Sequence, residues 1–383
     1  MQPTSEGTQA AILVSIDLGD ADYHESLAEL RLLAETAGVR TLATVEARRQ
    51  RPDAALFAGS GKVAELAATI EAMEVPPMVI FNHDLSPAQM RNLTAKLNTR
   101  VIDRTMLILD IFAQRAQSHE GKVQVELAQL KYLATRLVGL NTDMGQQKFA
   151  VGARGPGETQ LELDRRKLDK RVHLLKDRLE KLKAQRDVMR RSRNRSGVFS
   201  VSIVGYTNAG KSTLFNRLTK ANVYVANQLF ATLDTTSRKM YSEGAGEIVV
   251  SDTVGFIRHL PHGLVAAFRS TLEETIQADL LLHVVDASNP NRDDQIAEVN
   301  KVLAEIDAGD IPQLLVYNKV DLTEMPAGVE RDDCDRIARV FLSAQSGAGL
   351  DELRRTLTEA KDAKLAFELN ENQIKQARNM PWD

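Results

Sequence analysis

Eight residues near the middle of the chain have the types and the spacing that phosphate binding requires, Gly205-Tyr-Thr-Asn-Ala-Gly-Lys-Ser212. The pattern G-x-x-x-x-G-K-[ST] predicts a loop whose backbone N–H groups surround the phosphate oxygens of a nucleotide. In such a loop Lys211 contacts the β- and γ-phosphates, which makes it a candidate catalytic residue, and the Ser212 hydroxyl binds Mg²⁺. The predicted phosphate-binding residues are Gly205, Tyr206, Thr207, Asn208, Ala209, Gly210, Lys211, Ser212 and Thr213.

A second segment, Asn318-Lys-Val-Asp321, predicts which base the nucleotide carries. The Asp321 carboxylate would accept hydrogen bonds from N1–H and the exocyclic amine of guanine, whereas adenine offers no such pair. Asn318 would contact the base and brace the phosphate loop, and the stem of Lys319 would cover the purine face. Backbone N–H groups of a third segment, at residues 343–345, would reach guanine O6. The base-binding candidates are Asn318, Lys319, Val320, Asp321, Ser343, Ala344 and Gln345.

Two further segments suit the metal and the γ-phosphate. In Asp252-Thr-Val-Gly255 the carboxylate would hold Mg²⁺ through water, and the Gly255 N–H would meet the γ-phosphate. In Phe230-Ala-Thr-Leu-Asp234 we expect Thr232 to coordinate Mg²⁺ when a triphosphate is bound, with Thr235 and Thr236 as rivals. The candidate catalytic residues are Lys211, Thr232 and Gly255, and the candidate metal ligands are Ser212, Thr232 and Asp252. The remaining nucleotide-binding candidates are Phe230, Ala231, Leu233, Asp234, Thr253 and Val254.

The residue after Gly255 is Phe256, where Ras-like enzymes carry a glutamine that orients the attacking water. A phenyl ring cannot hydrogen-bond to water, so another group or a partner would have to supply this function. Asn208 is a candidate ligand for K⁺, because some GTPases with an N-x-G-K-S loop use this asparagine to bind potassium beside the phosphates. The alternative is that Asn208 only shapes the loop.

Each of these segments needs a fixed element to position it, and most of them follow a short apolar run that is typical of a buried strand. The runs are residues 198–204, 247–251, 313–317 and 339–342. Parallel strands covered by helices bind ligands at the carboxyl ends of the strands. The sequence therefore predicts an α/β fold with a guanine-nucleotide domain of the P-loop type, here called the G domain, over residues 198–365.

The N-terminal part, residues 1–118, alternates between short apolar runs and helical patterns, which favours a small α/β domain. Strands are expected at 11–16, 39–45, 78–81 and 101–103, and Ser86 is expected to cap the helix that begins with Pro87. Gly59-Ser-Gly-Lys62 resembles half of a phosphate loop. It could belong to a second nucleotide site or be a glycine turn that starts a helix.

Residues 119–197 have the pattern of two helices that pack as an antiparallel hairpin. Apolar residues recur at 4-3-4-3 spacing in both helices. The second helix carries fourteen lysines and arginines between Arg165 and Arg195 against four acidic residues, an excess of ten positive charges. This local excess predicts contact with RNA, although a solvated helix face is the simpler alternative. The connection includes Gly152-Ala-Arg-Gly-Pro-Gly-Glu158, a glycine-rich tip that could enter a narrow RNA site.

Composition sets the remaining limits. The chain has 383 residues with net charge −3, which does not favour general DNA binding, and the single Cys334 excludes an internal disulfide. No apolar run is long enough for membrane insertion, and residues 1–10 lack a signal-peptide pattern, so we expect a cytoplasmic protein. A monomer is expected, since no exposed heptad seam remains once the hairpin closes. Residues 366–383 are expected to form a C-terminal tail.

Three segments together resemble the HflX family of ribosome-associated GTPases. They are residues 151–162, residues 101–116 and residues 205–216. The resemblance implies GTP and GDP as ligands, the large ribosomal subunit and its rRNA as partners, and the splitting of stalled or idle ribosomes, notably under heat stress. It also implies a hairpin tip near the peptidyl-transferase centre, weak ATPase activity of the N-terminal domain, and association with ribosomes and the membrane periphery.

Two alternatives to ribosome splitting remain open. One is a GTPase checkpoint in ribosome assembly, and the other is a GTP-dependent RNA-binding module that keeps idle subunits apart.

Overall fold

The computed structural model describes residues 9–138, 156–194, 198–221, 228–242, 244, 246–258, 261, 264 and 272–378. The chain divides into two compact units. The first comprises Met1–Ala184 and Pro261–Ala267, and the second comprises Gln185–Leu260 and Phe268–Asp383.

The first unit begins with a small α/β domain, as the sequence predicts. Its elements in chain order are β1 (Ala10–Asp17), α1 (Tyr23–Thr36), β2 (Arg40–Arg48), α2 (Ser60–Glu71), β3 (Met78–Phe81), α3 (Pro87–Leu97), β4 (Val101–Asp103) and α4 (Arg104–Arg115). The four strands pair in the order β2-β1-β3-β4 and are all parallel. β1 lies inside the sheet, and its residues 11–16 are fully buried, which explains why all of them except Ser15 are apolar.

The start of α3 confirms the predicted cap. The Ser86 side chain accepts a hydrogen bond from the Gln89 backbone N–H, while the Gln89 side chain accepts one from the Ser86 N–H. Pro87 occupies the first turn, where its missing N–H costs nothing. This capping box fixes the start of α3 directly after Ser86.

Two long helices follow, α5 (His119–Val138) and α6 (Pro156–Asn194). They pack through the predicted apolar seam, since Val123 and Leu127 of α5 bury their side chains with Leu175 of α6. Arg171 of α6 also forms an ion pair with Glu126 of α5, with 2.6 Å between Nη2 and Oε1. Residues 152–155 of the predicted glycine-rich tip lie outside the described residues, and the helix starts at Pro156.

The second unit is built on a seven-stranded sheet in the order β10-β11-β9-β8-β5-β7-β6. Its elements are β5 (Phe199–Gly205), α7 (Lys211–Thr219), β6 (Thr236–Ser242), β7 (Gly246–Asp252), α8 (Glu273–Ile276), β8 (Leu280–Asp286), α9 (Arg292–Glu305), β9 (Gln313–Asn318), a 3₁₀ turn (Val320–Leu322), β10 (Gly328–Arg331), β11 (Ile337–Phe341) and α10 (Leu350–Arg378). The five central strands are parallel, which confirms the predicted sheet. β6 and β10 add an antiparallel strand at each edge.

The predicted boundary at residue 365 and the observed division at Ala184 both fall within a continuous helix. α6 continues across Ala184, where the compact units divide, and α10 continues through Leu365 to Arg378. The boundaries proposed at 118, 197 and 365 therefore stay predictions.

Candidate functional site

The phosphate loop connects the end of β5 to the start of α7, in the strand–loop–helix context that the pattern requires. It borders a cavity of about 520 Å³ at the carboxyl end of the sheet. Thirteen predicted residues line this cavity: Thr207, Asn208, Gly210, Lys211, Ser212, Thr213, Phe230, Ala231, Thr232, Thr253, Gly255, Lys319 and Gln345. The segments that are far apart in the sequence thus meet around one space of nucleotide size.

Backbone geometry explains two of the loop glycines. Gly210 has φ +94°, and a Cβ at this position would lie 2.2 Å from the Asn318 side-chain nitrogen. Gly205 has φ +143°, and its Cβ would lie 2.2 Å from the carbonyl oxygen of Val284 on β8. The loop therefore approaches both neighbouring segments more closely than a side chain allows.

The three candidate metal ligands lie against one another. The Ser212 hydroxyl is 2.7 Å from Oδ2 of Asp252 and 2.8 Å from the Thr232 hydroxyl, and the Thr232 hydroxyl is 2.9 Å from the same carboxylate oxygen. Thr232 lines the cavity, whereas Thr235 and Thr236 do not. This geometry favours Thr232 among the three threonines.

The burial and hydrogen bonding of the Asp252 carboxylate suit a ligand of a metal cation. It is fully buried, and within the part of the chain that is described its Oδ1 has no hydrogen-bond partner. Burial raises the pKa of Asp252, while the hydrogen bond from Ser212 and the charge of Lys211 act in the opposite direction. Hydroxyl and carboxylate oxygens are the ligands that Mg²⁺ prefers, so the residues fit this ion.

Lys211 is held inside the phosphate loop. Its ammonium group donates a 2.6 Å hydrogen bond to the carbonyl of Tyr206, and burial lowers its pKa to about 8. A Cβ on Gly255 would lie 2.8 Å from Nζ of Lys211. The absence of a side chain at Gly255 therefore leaves room for the lysine head group beside the cavity.

The base-side segments are joined by Asn318. Its side-chain nitrogen donates to the carbonyl of Ala209 at 2.9 Å, which confirms the predicted brace on the phosphate loop. Its side-chain oxygen accepts from the N–H of Ala344, also at 2.9 Å. The Ala344 N–H already donates to Asn318. To contact guanine O6 as predicted, this N–H would have to turn away from Asn318 or donate to both oxygens.

The candidate guanine-binding carboxylate, Asp321, is flanked by residues that line the cavity but does not line it itself. Lys319 lines the cavity and forms an ion pair with Asp286, with 2.6 Å between Nζ and Oδ2. Asp321 is exposed on the 3₁₀ turn between Lys319 and Leu322, both of which line the cavity. Asp321 therefore remains accessible to a base, and its role stays a prediction.

Phe256 and Thr253 form hydrogen bonds that connect the segment after β7 to the phosphate loop and to β5. Phe256 is buried, and its backbone pairs with the phosphate loop through Thr207 N–H to Phe256 O at 2.7 Å and Phe256 N–H to Gly205 O at 3.2 Å. Thr253 donates its hydroxyl to the carbonyl of Ile203 at 2.6 Å. The predicted residues that do not line the cavity are Gly205, Tyr206, Ala209, Leu233, Asp234, Asp252, Val254, Asn318, Val320, Asp321, Ser343 and Ala344.

Sequence reasoning missed three residues of the site. Gln228 and Leu322 line the cavity. Arg217, in the last turn of α7, donates from Nε to the carbonyl of Ala344 at 3.0 Å and from Nη2 to the carbonyl of Gln345. A basic residue at the end of a helix is common, and only the tertiary fold shows that this one fixes the guanine-side loop.

The partial phosphate-loop pattern in the first unit has a structural explanation. Gly59 has φ +86° and immediately precedes α2. Its missing side chain makes room for Arg49, whose Nη1 donates to the carbonyl of Ala58 at 3.2 Å. Lys62 forms an ion pair with Glu65 at 2.8 Å. These contacts favour the glycine turn over a second nucleotide site.

Together, the fold and the cavity define a P-loop GTPase. Comparison with known families agrees: the chain matches families described as GTP-binding GTPase N-terminal over residues 24–113, GTP-binding GTPase Middle Region over 115–193 and 50S ribosome-binding GTPase over 200–319. In the part of the chain that the structure describes, no helix is both long and apolar enough to cross a membrane.

The chain is 52% identical to the GTPase HflX of Escherichia coli over 94% of its own length and 84% of the relative's. It is 45% identical to the GTPase HflX of Caldanaerobacter subterraneus, over 92% of this chain and 81% of that one. Among solved structures it resembles the crystal structure of SsGBP in complex with GDP, with a TM-score of 0.52, 25% identity and coverage of 94% of this chain and 99% of the other. The chain therefore belongs to the HflX family of GTPases, and it hydrolyses GTP.

Proposed function

We propose that this GTPase binds the large ribosomal subunit through the α5–α6 hairpin and separates stalled or idle ribosomes into subunits, notably under stress such as heat. The observation that carries the proposal is the charge of α6. Its basic residues Lys170, Lys176, Arg178 and Lys181 are exposed, while the apolar side chains of Val172, Leu175 and Leu179 pack against α5. Residues 165–195, nearly all of which lie in α6, carry ten excess positive charges, and such a charged helix has the chemistry that binds the phosphates of folded RNA.

Nucleotide binding would control this interaction through Thr232. The Thr232 segment lies between the phosphate loop and β6, and its hydroxyl already meets Ser212 and Asp252. Magnesium, when bound, neutralises charge on the β- and γ-phosphates. The γ-phosphate would hold the Thr232 segment in place, and its loss would release that segment.

The residues of the cavity suggest how hydrolysis proceeds. Lys211 and the backbone N–H groups of the loop would bind the transferred phosphoryl group, and the Gly255 N–H would meet the same group. Phe256 is buried outside the cavity lining, so it does not orient the attacking water. Asn208, which is exposed and lines the cavity, is the proposed ligand for a potassium ion that would add positive charge there.

Two other functions use the same chemistry. A checkpoint in ribosome assembly would bind immature particles, and an RNA-binding module would hold idle subunits without useful turnover. The basic hairpin serves all three functions, so the fate of intact ribosomes distinguishes them.

The test combines GTP turnover with the sedimentation profile of intact ribosomes. We expect large subunits to stimulate turnover and the protein with GTP to shift ribosomes towards free subunits. A variant with Lys170, Lys176, Arg178 and Lys181 changed to Gln should lose both effects and lower the slope of binding against salt concentration. The matched control changes four exposed basic residues elsewhere, Lys96, Lys220, Lys301 and Arg355, to Gln.

The outcomes separate the proposals. Stimulation without a shift of the profile would favour assembly or idle-subunit binding. No stimulation by ribosomal particles would contradict the proposed partner and leave the GTPase activity intact.

A further inference from the structure

Asp103 connects the N-terminal sheet to the hairpin. It lies at the end of β4 and is fully buried. Its Oδ1 accepts hydrogen bonds from the Met106 N–H at 2.9 Å and from the Tyr132 hydroxyl at 2.6 Å, and its Oδ2 accepts from Nη2 of Arg136 at 2.6 Å. The residue therefore caps α4 and also holds two side chains from the end of α5.

The two α5 side chains support each other. Tyr132 and Arg136 are one helical turn apart, and the Arg136 guanidinium lies 3.3 Å above the centre of the Tyr132 ring. Nη2 of Arg136 also donates to the carbonyl of Leu85 at 3.2 Å, in the loop after β3. We call the group of Asp103, Tyr132 and Arg136 the hairpin clamp.

The two residues after Asp103 make separate contacts within the N-terminal domain. Arg104 forms a buried ion pair with Glu29 of α1 and donates to the side-chain oxygen of Asn82 at 2.9 Å. Thr105 hydrogen-bonds to Asp84. The chain next to Asp103 is thus held within the N-terminal domain by polar contacts that do not include the hairpin.

We propose that Asp103 is a positioning residue, which sets the angle of the α5–α6 hairpin relative to the N-terminal sheet so that the basic face of α6 reaches its RNA partner as part of one rigid body. The role of Asp103 in presenting α6 to RNA rests on the proposed ribosome binding, whereas the clamp rests on the contacts of Asp103, Tyr132 and Arg136.

The chemistry of the clamp favours positioning over simple stability. A buried ion pair gives little net stability compared with apolar side chains of similar volume, because both charges must lose water. Its hydrogen bonds are directional, so they fix one geometry in a way that apolar contacts do not. The apolar seam around Leu175 joins α5 to α6, and α5 also packs against α4 and α3. The clamp adds directional hydrogen bonds from the sheet to this packing.

Spin-label distance measurements on the full chain test the clamp directly. Labels on Ala95→Cys in α3 and Ala184→Cys in α6 use exposed positions, in a background where Cys334 is changed to Ser. We expect one narrow distance distribution for the otherwise unchanged protein. Arg136→Met and Asp103→Asn should each broaden it by about twofold or more.

Matched variants separate the clamp from general damage. Glu126→Gln removes the exposed ion pair between the hairpin helices and should leave the distribution unchanged. Tyr132→Phe removes a single hydroxyl and should broaden it less than Arg136→Met does. If Asp103→Asn fails to fold, the two α5 variants still decide the question. A distribution that stays narrow in folded Arg136→Met would overturn the clamp.

GTP turnover then tests the function of the clamp. Arg136→Met should keep the turnover of the free protein and lose at least about fivefold of the stimulation by large ribosomal subunits. Full stimulation despite a broadened distribution would overturn the positioning role. If the unchanged protein shows no stimulation, the proposed ribosome binding fails, and the distance measurement still decides whether Asp103 fixes the hairpin.

Discussion

The Ser212 hydroxyl donates a 2.7 Å hydrogen bond to the Asp252 carboxylate, which joins the phosphate loop to the end of β7. The two residues are 40 positions apart in the sequence. Together with Thr232 they form a cluster of oxygens in which Oδ1 of Asp252, within the described structure, makes no hydrogen bond. A divalent cation would satisfy this buried carboxylate, and the contact between the two side chains would then be replaced by contacts with the ion or its water.

The Mg²⁺ requirement of GTP turnover should depend on Asp252. Asp252→Asn preserves the shape of the side chain but removes its charge. We expect the Mg²⁺ concentration for half-maximal turnover to rise by about 10- to 100-fold, as for other residues that hold a metal through water. The measurement is turnover against Mg²⁺ concentration, with exposed Asp310→Asn as the control. An unchanged Mg²⁺ dependence would remove Asp252 from the metal site.

Base selectivity should reside in Asp321. Asparagine offers one acceptor and one donor, so Asp321→Asn matches the carbonyl that xanthine carries in place of the exocyclic amine of guanine. We expect GDP affinity to fall by about 100-fold or more, because two charge-assisted hydrogen bonds are lost. Xanthosine diphosphate affinity should rise, because the asparagine amide can donate to the xanthine carbonyl. Titration calorimetry with both nucleotides measures this. Equal weakening for both would mean that Asp321 does not read the base.

The close contact between Gly210 and Asn318 should make Gly210 intolerant of a side chain. In Gly210→Ala the new Cβ would lie 2.2 Å from the Asn318 side-chain nitrogen, at a φ of +94° that alanine rarely adopts. We expect GDP affinity to fall by at least tenfold and the brace on the phosphate loop to weaken. Gly61→Ala is the control, because Gly61 lies in α2 with open space around its Cα, and alanine should stabilise the helix by up to about 1 kcal/mol.

The sequence was sufficient to predict the architecture where local patterns and tertiary structure agree. The inner strands β1 and β3 of the N-terminal domain are rich in apolar residues because they are parallel and buried, and Ser86 carries its own capping signal. The phosphate loop and Asn318 could be placed because their spacing is required by the shape of a nucleotide. Such features depend on residues that are close together in the chain.

Features that depend on tertiary neighbours could not be predicted. Nothing in the sequence near Arg217 indicates that it holds the carbonyl of Ala344, and nothing near Asp103 indicates Tyr132 and Arg136 as its partners. The antiparallel edge strand β10 is short and mostly exposed, so it lacks the apolar pattern of the central strands. In each case the contact forms only when elements that are distant in the sequence pack together.

Potassium should accelerate GTP turnover if Asn208 is its ligand. We expect faster turnover in KCl than in NaCl at the same ionic strength, and Asn208→Ala should abolish the difference. Asn216→Ala on α7 is a control outside the cavity lining. Equal turnover of the unchanged protein in both salts would leave Asn208 with a role in loop shape only.

Stability at mildly acidic pH should depend on His283. This residue of β8 is buried, its Nδ1 lies 3.3 Å from Oε1 of Gln313 on β9, and burial lowers its pKa from 6.5 to about 4. Between pH 6.5 and 4 the unfolded chain therefore binds a proton that the folded chain does not. The free energy of unfolding should rise with pH across this window and reach its full value above pH 6.5.

The size of the effect follows from the two pKa values. At about 1.4 kcal/mol per pKa unit, protonation of His283 in the unfolded chain should cost about 2 kcal/mol of stability between pH 7 and pH 5. The glutamine of His283→Gln stays neutral at both pH values, so this variant should lose about 2 kcal/mol less stability than the unchanged protein between pH 7 and pH 5. Exposed His24→Gln should behave like the unchanged protein. The measurement is urea unfolding with pulsed hydrogen exchange, read out on peptides that contain β8. These peptides report the unfolding of the sheet to which His283 belongs. If His283→Gln shows the same loss of stability on acidification as the unchanged protein, burial of a neutral His283 is not what makes the G domain sensitive to acid.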